Sequence, residues 1–145
     1  MLAYSSRTPF VKISKGNSNN PGEFTFRSSA NIPNTCETYQ GKLVVIVSEI
    51  TQSAAELVSM AFRAGNNTTI IGSPTAGADG NVSPIVLPGG LQTRISGIGI
   101  YYPDGTQTQR VGIVPDIWVE PTINGIREGR DELLEKAIEI IISDE

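Results

Sequence analysis

Ser53 is the residue of this sequence whose type and position are best suited to covalent chemistry. Residues 43–47 read Leu-Val-Val-Ile-Val, a short apolar run that predicts a strand buried on both faces. The Ala/Glu/Leu-rich run that starts after Ser53 predicts a helix. A serine at such a strand-to-helix corner lies at the carboxyl edge of the sheet, where open α/β sheets bind ligands. The amide of Ala54, in the first helical turn, would be a free donor beside the positive end of the helix dipole and could hold an oxyanion.

A structural role for Ser53 competes with this chemical one. Ser53 and Glu56 have the spacing of a capping box, in which the serine and the glutamate satisfy each other's backbone at the start of a helix. Capping boxes are much commoner than nucleophilic serines, so the spacing by itself favours the cap. Both interpretations stay open at this level.

The composition limits the classes of function. The chain has 145 residues, 39% of them hydrophobic, which suffices for one domain with a core. The net charge is −4 and the 11 basic residues are scattered, so nucleic acid is not an expected partner. Cys36 is the one cysteine and histidine is absent, so we expect no internal disulfide, no metal site of the Cys/His type and no cofactor. No apolar stretch reaches the roughly 18 residues of a membrane span.

The elements around Ser53 predict an α/β fold with a partly parallel sheet. Residues 1–40 are rich in polar and turn-forming residues and predict an irregular arm with short strands near 10–13 and 23–26. A helix with apolar residues at Leu57, Met60, Ala61 and Ala64 should end near Gly65. Residues 68–72 then predict a second strand, and the order strand, helix, strand indicates a parallel crossover.

The second half of the chain predicts antiparallel strands and a final helix. The loop 72–81 lacks the glycine spacing of nucleotide-binding loops. Segments 83–87, 91–96 and 99–102 are separated by turn signals and predict antiparallel additions, and residues 117–119 predict a last short strand. A helix opening at Asp131 should pack through one apolar face, made of Leu134, Ala137, Ile138 and Ile141.

Four motifs resemble those of the tail-specific, or C-terminal processing, serine peptidases, including the tricorn core protease branch. They occur in the family's order and spacing and cover roughly residues 41–143. The motifs are Val44-Val45-Ile46-Val47 leading to Thr51-Gln52-Ser53-Ala54-Ala55-Glu56, then Ile71-Gly72-Ser73-Pro74-Thr75-Ala76-Gly77, Asp104-Gly105, and Gly112-Ile113-Val114-Pro115-Asp116-Ile117.

The resemblance implies a fold and a set of roles. The fold would be part of the α/β superhelix shared with the Clp protease and crotonase families, with a mixed sheet, flanking helices and antiparallel additions. Ser53 aligns with the nucleophile, the Ala54 amide with one oxyanion donor and Glu56 with the acidic residue of the serine motif. The substrate would be a polypeptide, and the loop that would line its groove contains Thr75, Ala76 and Gly77.

Three departures concern the catalytic base. Ala78 stands where the dyad branch has its lysine, and the histidine of the tricorn-like branch has no counterpart in this chain. That branch also has a glutamate shortly before the Gly-Ile/Val-x-Pro-Asp motif, where residues 107–110 read Gln-Thr-Gln-Arg. An amide can orient a neighbour but does not carry the charge. None of the four lysines is suited to replace the base, because Lys42 starts the strand that ends near Ser53 and the others lie in the arm or the last helix.

The resemblance therefore predicts residues 1–145 to be the C-terminal part of a peptidase catalytic domain, with the PDZ-like domain and the upstream oxyanion segment outside it. We expect this part to be inactive alone and to need the upstream remainder of the domain. Homo-oligomerisation is left open. A bacterial parent would belong to the cell envelope, by family resemblance. One alternative is a non-catalytic peptide-binding relative. Another, a crotonase-like acyl-CoA enzyme, is disfavoured because the glycine-rich oxyanion loops are missing.

Overall fold

The computed structural model describes residues 9–17, 19–27 and 39–143; Cys36 and parts of the expected arm lie outside these ranges. Within them the chain forms eight strands and three helices. The strands are β1 (Lys12–Gly16), β2 (Phe24–Phe26), β3 (Leu43–Val47), β4 (Thr68–Gly72), β5 (Val82–Val86), β6 (Gln92–Ser96), β7 (Ile100–Tyr101) and β8 (Ile117–Trp118). The helices are α1 (Ala54–Arg63), α2 (Ile123–Glu128) and α3 (Glu132–Ile142).

A three-stranded parallel sheet, in the order β3-β4-β8, carries the serine corner. Leu43 pairs with Thr68 and Val47 with Gly72, in register along both strands. α1 connects β3 to β4, so the predicted crossover is confirmed. Because parallel strands end at one edge, the residues that follow β3 and β4 meet at the carboxyl edge of this sheet.

The core lies between α1 and the facing side of the strands. Its buried members are aliphatic or Met side chains from six different segments: Val11, Val47, Met60, Ile70, Ile100 and Ile113. Leu57 packs against this cluster, as the helical spacing predicts. The predicted α/β class is confirmed.

The expected irregular arm is more regular than predicted in its described part. β1 pairs antiparallel with β2 and also with β7, in the order β2-β1-β7. The two short strands were predicted, but the pairing of β1 with β7 was not. Strand partners that lie about 90 residues apart leave no local sequence signal.

Burial corrects two expectations. β3 was expected to be buried on both faces, but the side chain of Ile46 is 43% exposed and Val44 is half-buried, so the face that these two residues share is only partly covered. In α3 only Ala137 of the predicted apolar face is buried, while Leu134, Ile138 and Ile141 are each 49% exposed. The periodicity identified the apolar positions correctly, but it carries no information about what covers them.

Candidate active site

Ser53 occupies a sharp corner between β3 and α1. After β3 a turn forms in which Thr51 N–H donates to the Ser48 carbonyl at 2.9 Å and Ser48 N–H donates to Thr51 Oγ1 at 3.0 Å. Ser53 follows as the N-cap residue of α1, and its side chain is exposed. The carboxyl edge of the sheet thus presents this serine to solvent.

The backbone of Ser53 is held in an unusual conformation, with φ 56° and ψ −123°. A capping serine ordinarily has extended backbone angles, whereas positive φ in a residue other than glycine is uncommon. Such conformations cost on the order of 1–3 kcal/mol and persist only where the surroundings hold them. A capping role alone does not require this geometry.

Glu56 holds the corner in place. Its carboxylate is fully buried and accepts four hydrogen bonds. Oε2 accepts from the amides of Ser53 and Ala78, both at 3.0 Å. Oε1 accepts from the Thr75 hydroxyl at 2.5 Å and from the Gly77 amide at 2.8 Å. One side chain therefore fixes both the serine corner and the loop after β4.

The loop after β4 is joined to two further segments. Ala76 N–H donates to the Thr51 carbonyl at 2.9 Å, beside the serine corner. The buried Thr75 hydroxyl, which donates to Glu56, also accepts from the Ile113 amide at 2.7 Å. Arg110 N–H donates to the Gly77 carbonyl at 2.7 Å. The residues of the sequence motifs thus form one hydrogen-bonded frame behind Ser53.

Ala54 presents a backbone donor next to Ser53. Ala54 is the first residue of α1 and is exposed. Among the described residues its N–H donates no hydrogen bond, as expected for the first turn of a helix. The free amide and the positive end of the helix dipole together favour a negatively charged oxygen at this position.

A cleft of about 600 Å³ adjoins the corner. Its lining includes Gly77 and Ala78 from the loop after β4 and the aromatic side chains of Phe24, Phe26 and Tyr101 from β2 and β7. The amide nitrogens of Ser53 and Ala78 each lie 3.0 Å from the same Glu56 oxygen, so they are no more than about 6 Å apart. Ser53 itself does not line the cleft, but Ala78 links the cleft to the serine corner through Glu56.

The lysines lie away from this corner or are occupied elsewhere. Lys42 donates to the carbonyls of Ile140 and Ser143 at the end of α3, near the amino end of β3. Lys136 pairs with Glu139, and the Lys12 ammonium lies 4.8 Å from the centroid of the Phe26 ring. Ala78, where a dyad lysine would stand, offers a methyl group at the cleft wall.

Gln109 is one of the amides at the positions where the family has a glutamate, and its side chain bonds to three segments that line or adjoin the cleft. Its Nε2 donates to the carbonyls of Asp79 at 2.8 Å and Ile98 at 2.9 Å, and its Oε1 accepts from Ile100 N–H at 3.3 Å. These bonds use both ends of the amide. Gln109 therefore positions the cleft wall in the described structure.

Asp79 is a buried carboxylate in the same wall. Oδ1 accepts from the Gly80 amide at 2.7 Å, whereas Oδ2 has no hydrogen-bond partner among the described residues. Burial raises the pKa of Asp79 above its ordinary value, the Gly80 amide opposes this rise, and the nearby Glu56 charge adds to it. Nothing in the sequence pattern singled out this residue.

The described ranges contain no cluster of three or more Cys, His, Asp or Glu side chains that could hold a metal ion. They also contain no helix long and apolar enough to cross a membrane.

Sequence comparison identifies the family. The model of peptidase family S41 matches residues 5–119, which include the serine corner, the loop after β4 and the segment around Ile113. The chain belongs to peptidase family S41. A carboxy-terminal-processing protease of Bartonella bacilliformis is 31% identical over 97 residues, which are 67% of this chain and 22% of that protein. This S41 chain thus spans about a fifth of the length of that relative.

Solved structures support the fold. A protein from Parabacteroides merdae superposes with a TM-score of 0.81 at 23% identity, over 93% of this chain and 43% of that one. Mature CPAF gives 0.64 at 25% identity, over 78% and 25% of the two chains. The photosystem II D1 C-terminal processing protease gives 0.54 at 22% identity, over 99% and 33%. The predicted resemblance to C-terminal processing peptidases is confirmed.

Proposed function

We propose that this S41 chain supplies the nucleophile of a serine-type peptidase that hydrolyses peptide bonds in polypeptides. The observation that carries the proposal is the backbone of Ser53, held at φ 56° on an exposed strand-to-helix corner by the buried Glu56 carboxylate. Family membership supplies the reaction class. Ser53, Ala54 and Glu56 are thereby assigned as nucleophile, oxyanion donor and positioning residue.

The reaction assigned to this corner is acyl transfer. Ser53 Oγ attacks the carbonyl carbon of a peptide bond, and a base takes its proton. The carbonyl oxygen becomes an oxyanion, to which the Ala54 amide donates a hydrogen bond. Collapse releases the amine fragment with a proton and leaves an ester on Ser53. Water then hydrolyses the ester and restores the hydroxyl.

The base in this proposal comes from outside the 145 residues. The chain has no histidine, and Lys42, Lys12 and Lys136 make their contacts elsewhere. A serine without a base keeps little nucleophilic power, so we expect the chain alone to hydrolyse peptides poorly. Residues 41–143 would then be the motif-bearing core of a larger catalytic unit, in a tail-specific endopeptidase of the tricorn-like branch.

Labelling with a fluorophosphonate probe tests the nucleophile. We expect the parent protein to be labelled and the Ser53→Ala variant to lose the label. Ser83→Ala is a matched control, because Ser83 is an exposed serine of β5, and it should be labelled as the wild type is. Equal labelling of wild type and Ser53→Ala would refute the assignment.

A non-catalytic peptide-binding relative is the second candidate. Ala78, which stands where a dyad lysine would stand, favours this candidate because it supplies no base. The hydrogen-bonded frame around Glu56 is complete without one. A folded parent protein that is never labelled but still binds peptides would support this candidate. Ser53 would then act only as the first residue of a helix cap.

A further inference from the structure

We propose that the cleft beside Ser53 receives an aromatic side chain of the polypeptide substrate, and that Phe24 and Phe26 form the wall that selects it. This inference rests on the proposed function, because it takes the ligand to be a polypeptide. It adds a specificity-determining surface that lies outside the motif-bearing core, on the hairpin of β1 and β2.

The aromatic wall is exposed and includes a ring–ring contact. The side chains of Phe24 and Phe26 are 62% and 52% exposed, although both line the cleft. The Phe26 ring meets Tyr101 edge to face, with centroids 5.4 Å apart and an interplanar angle of 80°. Exposed apolar rings grouped at the rim of a concave site are typical of ligand-binding surfaces. A substrate ring could extend this edge-to-face arrangement.

Several lining residues with small side chains leave room for a ring in the cleft. Gly77, Ala78, Gly97 and Gly99 present little or no side chain there. At Gly99 a Cβ atom would lie 2.6 Å from the Tyr101 ring and 2.8 Å from the Ser14 hydroxyl, so a larger residue would displace the aromatic wall. The volume of about 600 Å³ lies within the range of small-molecule sites and accommodates a phenylalanine side chain.

The cleft lies within reach of a substrate held at Ser53. Ala78 lines the cleft, and its amide is within about 6 Å of the Ser53 amide through their shared Glu56 oxygen. An extended chain advances about 3.3 Å per residue. A substrate that extends a few residues from the bond that Ser53 attacks could therefore place a side chain in the cleft.

Charge does not favour an ionic side chain in this cleft. Asp79 and Arg110 both line it, and their charges are opposite. The face of the Phe26 ring already has a cation, Lys12. The aromatic wall is the remaining feature of the cleft that could select a side chain, so an uncharged ring is the best-matched occupant.

A titration of the ¹⁵N-labelled chain with N-acetyl-phenylalanine amide, followed by NMR, tests the inference. We expect shift changes at the amides of Ala78, Gly97 and Gly99, and binding about tenfold or more tighter than that of N-acetyl-alanine amide, which lacks the ring. N-acetyl-lysine amide should bind no better than the alanine ligand. Equal binding of the three ligands, or the tightest binding by lysine, would overturn the inference.

Variants of the wall give a second test. Phe24→Ala should weaken binding of N-acetyl-phenylalanine amide about fivefold or more, because it removes one ring contact. Trp118→Ala is the matched control, since Trp118 is an aromatic residue of β8 with 61% exposure that does not line the cleft, and its variant should bind as the wild type does. Phe24→Leu replaces Phe24→Ala if circular dichroism shows that the alanine variant is unfolded. Unchanged binding by the folded Phe24 variant would contradict the assignment.

The two proposals fail separately. Ligand binding needs no nucleophile, so the titration reports on the cleft whatever the fluorophosphonate probe reports on Ser53. Labelled Ser53 with no binding of the phenylalanine ligand would remove the cleft assignment and leave the proposed function intact.

Discussion

Replacing Glu56 by glutamine tests whether this residue holds the serine corner and the loop after β4 together. Each carboxylate oxygen accepts two hydrogen bonds, one pair from Ser53 and Ala78 and the other from Thr75 and Gly77. Glu56→Gln keeps the size of the side chain but converts one acceptor oxygen into an NH₂ group. That group then faces two donors, whichever way the amide turns.

The magnitude follows from the donors that lose their acceptor. If the NH₂ group replaces Oε2, the amides of Ser53 and Ala78 both lose their acceptor. If it replaces Oε1, the Gly77 amide loses its acceptor and the Thr75 hydroxyl must reorient. Each unsatisfied buried donor costs about 1–3 kcal/mol, so we expect the free energy of unfolding to fall by about 2–6 kcal/mol in the first orientation and by about 1–3 kcal/mol in the second. This is a large share of the 5–15 kcal/mol that is typical of a domain.

Urea denaturation followed by circular dichroism measures this loss. Glu49→Gln is the matched control, because Glu49 is exposed and accepts one 3.2 Å bond from the Ser73 hydroxyl. We expect the control to change the free energy of unfolding by no more than about 0.5 kcal/mol. A loss below about 1 kcal/mol in Glu56→Gln would show that the four bonds do not hold the frame. If the variant is folded, reduced fluorophosphonate labelling would link the frame to the nucleophile.

Three further outcomes follow from buried or strained positions. The pKa of Asp79 is raised in the folded chain, so wild-type stability should fall relative to that of Asp79→Asn as pH rises from about 4 through the folded pKa. Urea denaturation at several pH values measures this. The same pH dependence of stability in both proteins would contradict it. Gly112→Ala should lower the free energy of unfolding by about 2 kcal/mol or more, because φ at this position is +78° and the new Cβ would overlap the Thr75 carbonyl. An unchanged midpoint of urea denaturation would argue against it. Arg63→Met removes the donors to Tyr102, Val114 and Asp116, and it should lower the free energy of unfolding by about 1–3 kcal/mol in the same assay. A loss near zero would mean that these partly exposed contacts contribute little to stability.

The local parts of the fold were predictable from the sequence. The apolar run before Ser53 and the helical spacing after it predicted β3, α1 and β4 with small errors at the ends. The Ser53–Glu56 spacing predicted one of the glutamate's four hydrogen bonds, namely the one from the Ser53 amide. These features depend on neighbours within about four residues, which the sequence displays directly.

The non-local parts were not predictable in the same way. Nothing near Glu56 indicates that residues 75–78 also bond to its carboxylate, about 20 positions further along the chain. The aromatic wall was hidden for the same reason, since Phe24 and Phe26 read as one short strand of an irregular arm. The burial of Asp79 likewise depends on which distant segments cover it. These features are set by tertiary packing, which a single sequence does not encode as a local pattern.

The hairpin of β5 and β6 has a dynamic consequence. All ten residues of its two strands are exposed, and two-stranded hairpins are marginally stable in water. Its backbone amides should therefore exchange with deuterium by local opening, well before the amides of β4. Since β6 ends at Ser96, in the wall of the cleft, a ligand in the cleft should slow exchange at that end first. The rate of amide exchange at this end of the hairpin would therefore indicate whether the cleft is occupied.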